Sequence, residues 1–289
     1  MKRLTLDSKI LIFDTTMRDG ELMPGVKMNI QQKISLAKLL EAMRIDVIEV
    51  GYPGAFRKDF DELFMVSKQI KGSIVCGLAS SKPDEIASVA LAIKPAAQGR
   101  IHIYTPVHLS DYSQVHQTQT LEVIQDSIIL ARDYCSDIEW SAFDATRTDL
   151  DFLCKAIERA IQSGAMTISI PDSCGMANPE DFAELIRQIM NRVPNINNAA
   201  IAVHCHNDLG NAVKNSIAAI GSGARQIECS INGLGARCGN ANLAEVVNAI
   251  HHKSFTQNGK THYYQTDIET SLLETASALV KEIVERGSR

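Results

Sequence analysis

The chain has 289 residues and a net charge of -5, with 29 basic against 34 acidic side chains and a 45 % hydrophobic composition. That is the make-up of an ordinary soluble globular protein. It offers no basic stripe for nucleic acid, no apolar run of the roughly 18 to 20 residues that cross a bilayer, and no signal-peptide apolar stretch at its start. Nucleic-acid and membrane partners are therefore not expected, and the expected compartment is the cytoplasm. The 7 cysteines are odd in number and form no C-x-x-C pair, which fits reduced thiols.

In chain order, β-rich runs at 10–14, 47–51, 73–78, 100–104, 138–144, 167–172, 200–206 and 226–232 alternate with amphipathic segments such as 29–44, 59–71, 118–135, 149–164, 178–193 and 209–222. Several runs are almost continuously apolar, as parallel strands buried on both faces must be. Asn178-Pro179 supplies a helix cap and a first-turn proline, and Gly164 and Gly223 stand where helices stop. Eight such repeats predict an α/β fold of the closed (β/α)8 TIM-barrel type over residues 1–255. A doubly wound open sheet is the runner-up, but it lacks the Gly-rich phosphate turn after the first strand. Residues 256–289 read as a C-terminal extension with a turn and one helical pattern at 268–285, placed to pack on the barrel or on another subunit. A homodimer through these helices is expected, and no regulatory domain.

In a barrel of this kind chemistry gathers where strands end. There the sequence places F-D-T-T-M-R-D-G-E, S-A-F-D-A-T-R, P-D-S-C-G, V-H-C-H-N-D-L-G and N-G-L-G-A-R-C-G-N. Strand alternation turns His204 and His206 to one side and Cys205 to the other. Two imidazoles on one face suit a divalent ion, although two histidines bonded to backbone would give the same spacing. Asp19 adds a hard oxygen and Asn240 can add an amide oxygen. This N2O2 set with open positions fits an ion holding a bidentate 2-oxo acid, with Arg18 stabilising charge on the reacting oxygen. A rim salt bridge between Arg18 and Asp19 is the plainer alternative. Asp14 is read as orienting Arg18 or a metal ligand, or else as capping its own turn. Asp172 and Asp208 are read as holding a histidine tautomer, Asn207 as positional, and Glu49 as an acid, a base or a salt-bridge partner. Gly233, Gly235 and Gly239 allow positive φ and close approach of their amides to a carboxylate or phosphate.

The anchors D-T-T-M-R-D-G-E with Lys33 downstream, D-A-T-R-T-D-L-D-F-L, I-P-D-S-C-G, H-C-H-N-D-L-G-N-A-V-K-N-S and G-A-R-Q-I-E-C-S-I-N-G-L-G-A-R-C-G-N-A resemble one group of enzymes. That group is the 2-isopropylmalate, homocitrate and citramalate synthases, with the HMG-CoA lyases more distant in the same DRE-TIM metallolyase superfamily. The resemblance implies a divalent metal (Mg2+, Mn2+ or Zn2+) held by Asp19, His204, His206 and Asn240, with Arg18 as the catalytic cation. It implies that Ser173 and His102 contact the 2-oxo acid. The implied reaction is a Claisen condensation of acetyl-CoA with that acid, followed by thioester hydrolysis.

Three positions depart from the synthase pattern: Leu22 stands where glutamine is usual, and Phe143 and Ala236 where glutamate is usual. Leu22 and Phe143 are therefore expected to shape a substrate site for a side chain more apolar or larger than that of 2-oxoisovalerate. The length resembles that of simple lyases, and Cys238 lies in the loop where those enzymes carry a cysteine. Cleavage of a hydroxy acid or its CoA ester is the alternative activity, and a barrel subunit needing a separate lid chain is another.

Overall fold

The computed structural model describes residues 8–257 and 260–287. The N-terminal segment 1–7 and the turn expected at 258–259 lie outside the described residues. Eight parallel strands close in sequence order into a barrel: β1 (Leu11–Asp14), β2 (Val47–Gly51), β3 (Ile74–Ser80), β4 (Gly99–Pro106), β5 (Ile138–Phe143), β6 (Thr167–Asp172), β7 (Ala200–Cys205) and β8 (Gln226–Cys229), with β8 pairing back onto β1. Every residue of β2 and of β6 is buried. Such strands have helices on one face and the barrel interior on the other, which is why they read as apolar runs.

The outer ring comprises α1 (Ile30–Ala42), α2 (Arg57–Gln69), α3 (Pro83–Ile93), α4 (Gln114–Arg132), α5 (Leu150–Ser163), α6 (Pro179–Arg192), α7 (Ala212–Ser222) and α8 (Leu243–His252). Local chemistry sets their ends. Asn178 accepts from the Asp181 N–H ahead of Pro179, and Gly164, at φ 107°, closes α5 in a conformation that other residues resist. Among the described residues, no helix is long and apolar enough to cross a membrane. All seven cysteines are free.

Two strand ends differ from expectation. β8 stops at Cys229 rather than at residue 232, because Asn232 turns to φ 58° inside a short 3-10 segment. β7 stops at Cys205, and His206 instead forms an antiparallel bridge with Asn240. The tail also differs from a purely helical extension. A hairpin of β9 (Phe255–Gln257) and β10 (Lys260–His262) precedes α9 (Leu273–Gly287). α9 packs on α1 and on the turn after β8, where Ser277 Oγ donates to Asn232 Oδ1 (2.6 Å) and Asn232 Nδ2 donates to Ser277 O (3.1 Å). The tail thus braces the loop that carries Asn240.

Candidate active site

Alternation along each strand decides what faces the barrel interior. His102, Tyr104 and Pro106 of β4 and Ser141 and Phe143 of β5 are spaced two apart, and all line one cavity of about 450 Å3 with Arg18, His204 and His206. At its floor the carboxylate of Asp19 meets both histidines. Asp19 Oδ2 lies 3.3 Å from His204 Nε2 and 3.8 Å from His206 Nε2, and the two Nε2 atoms are 3.3 Å apart. Donor atoms around a small divalent ion with bonds of about 2.1 Å sit about 3 Å from one another, so the set fits such an ion.

Asn240 joins the group by the bridge to His206, and Gly235 leaves it room: a Cβ there would lie 2.4 Å from Asn240 Nδ2. Its Nδ2 donates to Asp19 Oδ2 (3.0 Å) and to Leu234 O (3.0 Å), while Oδ1 is buried with no hydrogen-bond partner. A buried acceptor left bare is costly, and a cation would satisfy it. Ala236 contributes its N–H to Asp19 Oδ1 at 3.3 Å.

The electrostatics also call for a cation here. Glu228, fully buried in β8, accepts at Oε2 from His204 Nδ1 (3.0 Å) and at Oε1 from the Ser169 hydroxyl. Burial resists charging His204, but its bonds to Asp19 and Glu228 outweigh it and push the imidazole up to about 10. His206 goes the other way: burial and the positive charge of His204 take it down to about 4. Burial opposes the Asp19 carboxylate, yet Arg18 and the histidines hold it well below the usual range. Glu228 gave no motif in the sequence, although Gln226, Glu228 and Ser230 are polar at period two in a buried segment. Glu228→Gln keeps the shape and removes the charge behind His204. Divalent-metal affinity, measured by titration calorimetry, should fall by roughly 10 to 100-fold; unchanged affinity would remove Glu228 from any role in metal binding.

Glu49 organises the other side. It is fully buried and accepts from Thr15 Oγ1 (2.6 Å), Arg18 Nε (2.6 Å) and His102 Nδ1 (2.9 Å). Burial raises its pKa, but Arg18 and His102 overcome this and hold it below its ordinary value. It is therefore an ion-pair partner that aims Arg18 into the cavity. With Nδ1 committed to Glu49, His102 keeps Nε2 buried and unpartnered beside the cavity. Ser173 Oγ accepts from the Asp144 N–H (2.9 Å), which leaves its hydroxyl proton free to donate. Leu22 and Phe143 line the same cavity and are 44 % and 46 % exposed, so each presents apolar surface to it.

Other readings are resolved by their partners. Of the two readings of Asp14, orienting Arg18 or a metal ligand and capping its own turn, the structure gives the cap. Asp14 caps the turn after β1 by accepting from Thr16 N (3.0 Å) and Thr16 Oγ1 (2.8 Å), and burial pushes its carboxyl up to about 7 against those bonds. Asp172 accepts from Ala177 N (3.0 Å) and Thr146 Oγ1 (3.1 Å), and Asp208 pairs with Arg237 Nε (2.8 Å); neither holds a histidine. Asn207 is positional, accepting from the Ala212 N–H at 3.2 Å. The amides of Gly233 and Gly239 donate within their own loop, to Ser230 O and Ala236 O, so they serve its fold and not an anion.

The chain is similar to a 2-isopropylmalate synthase of Rhodopseudomonas palustris (strain TIE-1), 47 % identical over 94 % of this chain and 52 % of that one. A 2-isopropylmalate synthase of Methylorubrum populi is 44 % identical with the same coverages. The chain spans about half the length of the curated relatives it matches. Its fold matches an HMG-CoA lyase of Acinetobacter baumannii, solved with coenzyme A and 3-methylmalate, with a TM-score of 0.78 at 18 % identity over 98 % of this chain and 93 % of that one. The HMGL-like family description fits residues 9–280, the whole barrel with the Asp19, His204 and His206 cluster and the first half of α9, so the chain belongs to the HMGL-like family.

Proposed function

We propose that the barrel is a condensing acyltransferase of the 2-isopropylmalate synthase kind, joining acetyl-CoA to a 2-oxo acid. The observation that carries this is the cluster of Asp19, His204 and His206, whose histidines line one cavity with an arginine locked by Glu49. The activity of the relatives and the CoA ligand of the lyase neighbour point the same way. Asp19, His204, His206 and Asn240 would hold the divalent ion, Mg2+, Mn2+ or Zn2+. When bound, that ion supplies Lewis-acid polarisation of a carbonyl.

The chain's own groups do the rest. Arg18, fixed through Nε, presents the remainder of its guanidinium to an oxygen gaining negative charge. Ser173 donates its hydroxyl proton to the acid, and His102 Nε2 is placed to bond it or to hold a proton. Residues 1–255 form the catalytic unit and residues 256–289 its brace. A homodimer working in the cytoplasm belongs to the same reading. Cleavage in the reverse direction would use the same groups, and the exposed Cys238 in the loop after β8 is the feature that favours it.

The test is CoA release from acetyl-CoA, followed by mass spectrometry because free cysteines would confuse a thiol dye. Release that requires both Mn2+ and a 2-oxo acid is expected. No release from any 2-oxo acid by the metal-loaded protein would overturn the condensing reading.

A further inference from the structure

The cavity is divided by chemistry. Its charged half is lined by Arg18 from the turn after β1, by His204 and His206 at the end of β7 and by Glu228 of β8, with Asp19 and Asn240 directly behind the histidines. Its other half comes from the elements after β2 through β5 and is walled by Tyr52, Phe56, Leu78, Tyr104 and Phe143. The tyrosines give this wall carbon and not hydroxyl. Tyr52 Oη donates to Glu85 Oε2 (2.6 Å), and Tyr104 Oη lies 3.1 Å from Tyr52 Oη, so both polar tips are occupied by one another and by Glu85.

The rings already form a herringbone. Tyr52 and Tyr104 are edge-to-face at 6.0 Å, and Tyr104 and Phe143 are tilted by 55° at 5.9 Å. Aromatic rings prefer such partners at these spacings, so a further ring extends the cluster. Phe56 and Phe143 are each 46 % exposed within this concavity, apolar surface that an incoming ring removes from water. The carboxylate of this half, Asp59, accepts at Oδ2 from the Tyr52 N–H at 2.6 Å, and its Oδ1 is buried away from solvent without a hydrogen-bond partner.

We infer that the 2-oxo acid taken by this site carries an aryl side chain. The inference rests on the condensing reading above and deepens it. The acid's carboxylate and keto oxygen lie toward the charged half, and its ring lies against Tyr104 and Phe143. In the balanced step, the acetyl-CoA methyl gives up a proton and its carbon bonds to the keto carbon. The keto oxygen takes a proton and becomes a hydroxyl. Water then cleaves the thioester, giving a second carboxylate and the CoA thiol, with no oxidant or reductant required.

The experiment uses the full chain with Mn2+, acetyl-CoA and four acids: phenylpyruvate, 4-hydroxyphenylpyruvate, 2-oxoisovalerate and pyruvate. An aryl acid should exceed both aliphatic acids in kcat/KM by on the order of tenfold or more, the scale on which an apolar pocket discriminates. An aliphatic acid that equals or exceeds both aryl acids overturns the inference and leaves the condensing reading standing. Calorimetric binding of the same acids without acetyl-CoA keeps the two apart. Preferential aryl binding without turnover sustains the selectivity while the condensing reading falls, and no preference in binding or turnover overturns the selectivity. Phe143→Ser should lower aryl-acid kcat/KM by on the order of tenfold with a smaller change for pyruvate; equal losses for both acids would refute the role given to Phe143.

Discussion

Replacing His204 with alanine is expected to remove tight divalent-metal binding and turnover together. The variant loses the ligand atom that lies 3.3 Å from both Asp19 Oδ2 and His206 Nε2, and it also loses the bond that neutralises Glu228. Loss of an outer partner of a metal ligand costs roughly 10 to 100-fold in affinity, so loss of the ligand itself should exceed that range. Mn2+ binding read by electron paramagnetic resonance should therefore weaken by more than about 100-fold, with CoA release falling to background. The fold is expected to survive. The charge left unpaired on the buried Glu228 costs about 3–5 kcal/mol, at or below the stability of a domain this size. Far-ultraviolet circular dichroism and a urea titration check that point. Retained stoichiometric Mn2+ in His204→Ala would show that Asp19, His204 and His206 are not the metal site.

The barrel was legible in the sequence because its strands are buried on both faces and its helices carry local caps such as Asn178-Pro179 and Gly164. His204 and His206 were legible because strand alternation is itself local. Glu49 was legible only as an acid, a base or a salt-bridge partner with no partner named, and Glu228 was not legible at all, since each is defined by partners far away in the chain. Glu49 takes donors from Thr15, Arg18 and His102, and Glu228 from Ser169 and His204. A glutamate inside an apolar strand shows only that something must pair with it. Asp14 was readable in two ways, and the local one holds. An aspartate two residues before a threonine is a local turn cap, and that short-range bond took the carboxylate away from Arg18. Phe143 was read as shaping an apolar substrate site, but the tyrosines of its wall were not, because Tyr52 and Tyr104 come from other strands and meet it only when the barrel closes.

Arg18→Gln separates charge stabilisation from metal binding. The variant keeps Asp19, His204 and His206, and it removes a cation whose Nη1 is 3.8 Å from Asp19 Oδ2. Its affinity for Mn2+ should therefore be retained or increased. Turnover should nonetheless fall by on the order of 100 to 1,000-fold, the usual effect of deleting one donor to a developing oxyanion.

Stability changes as well, because the fully buried Glu49 loses its guanidinium partner and keeps only Thr15 and His102; removing one member of a buried pair costs up to about 3–5 kcal/mol at neutral pH. In the native chain Glu49 titrates below its ordinary value near 4.5, so its contribution is present above that value and is lost as pH falls through the folded one. Without Arg18, burial is less opposed and the folded pKa rises. The native state then takes up a proton where the unfolded chain is still ionised. The deficit of Arg18→Gln is thus largest at neutral and alkaline pH and shrinks on acidification toward the ordinary carboxylate range. Urea unfolding of both proteins across that pH range measures it. A deficit independent of pH would mean that Glu49 is not the group left unpaired, and turnover undiminished in a variant that binds Mn2+ would mean that Arg18 does not meet the reacting oxygen.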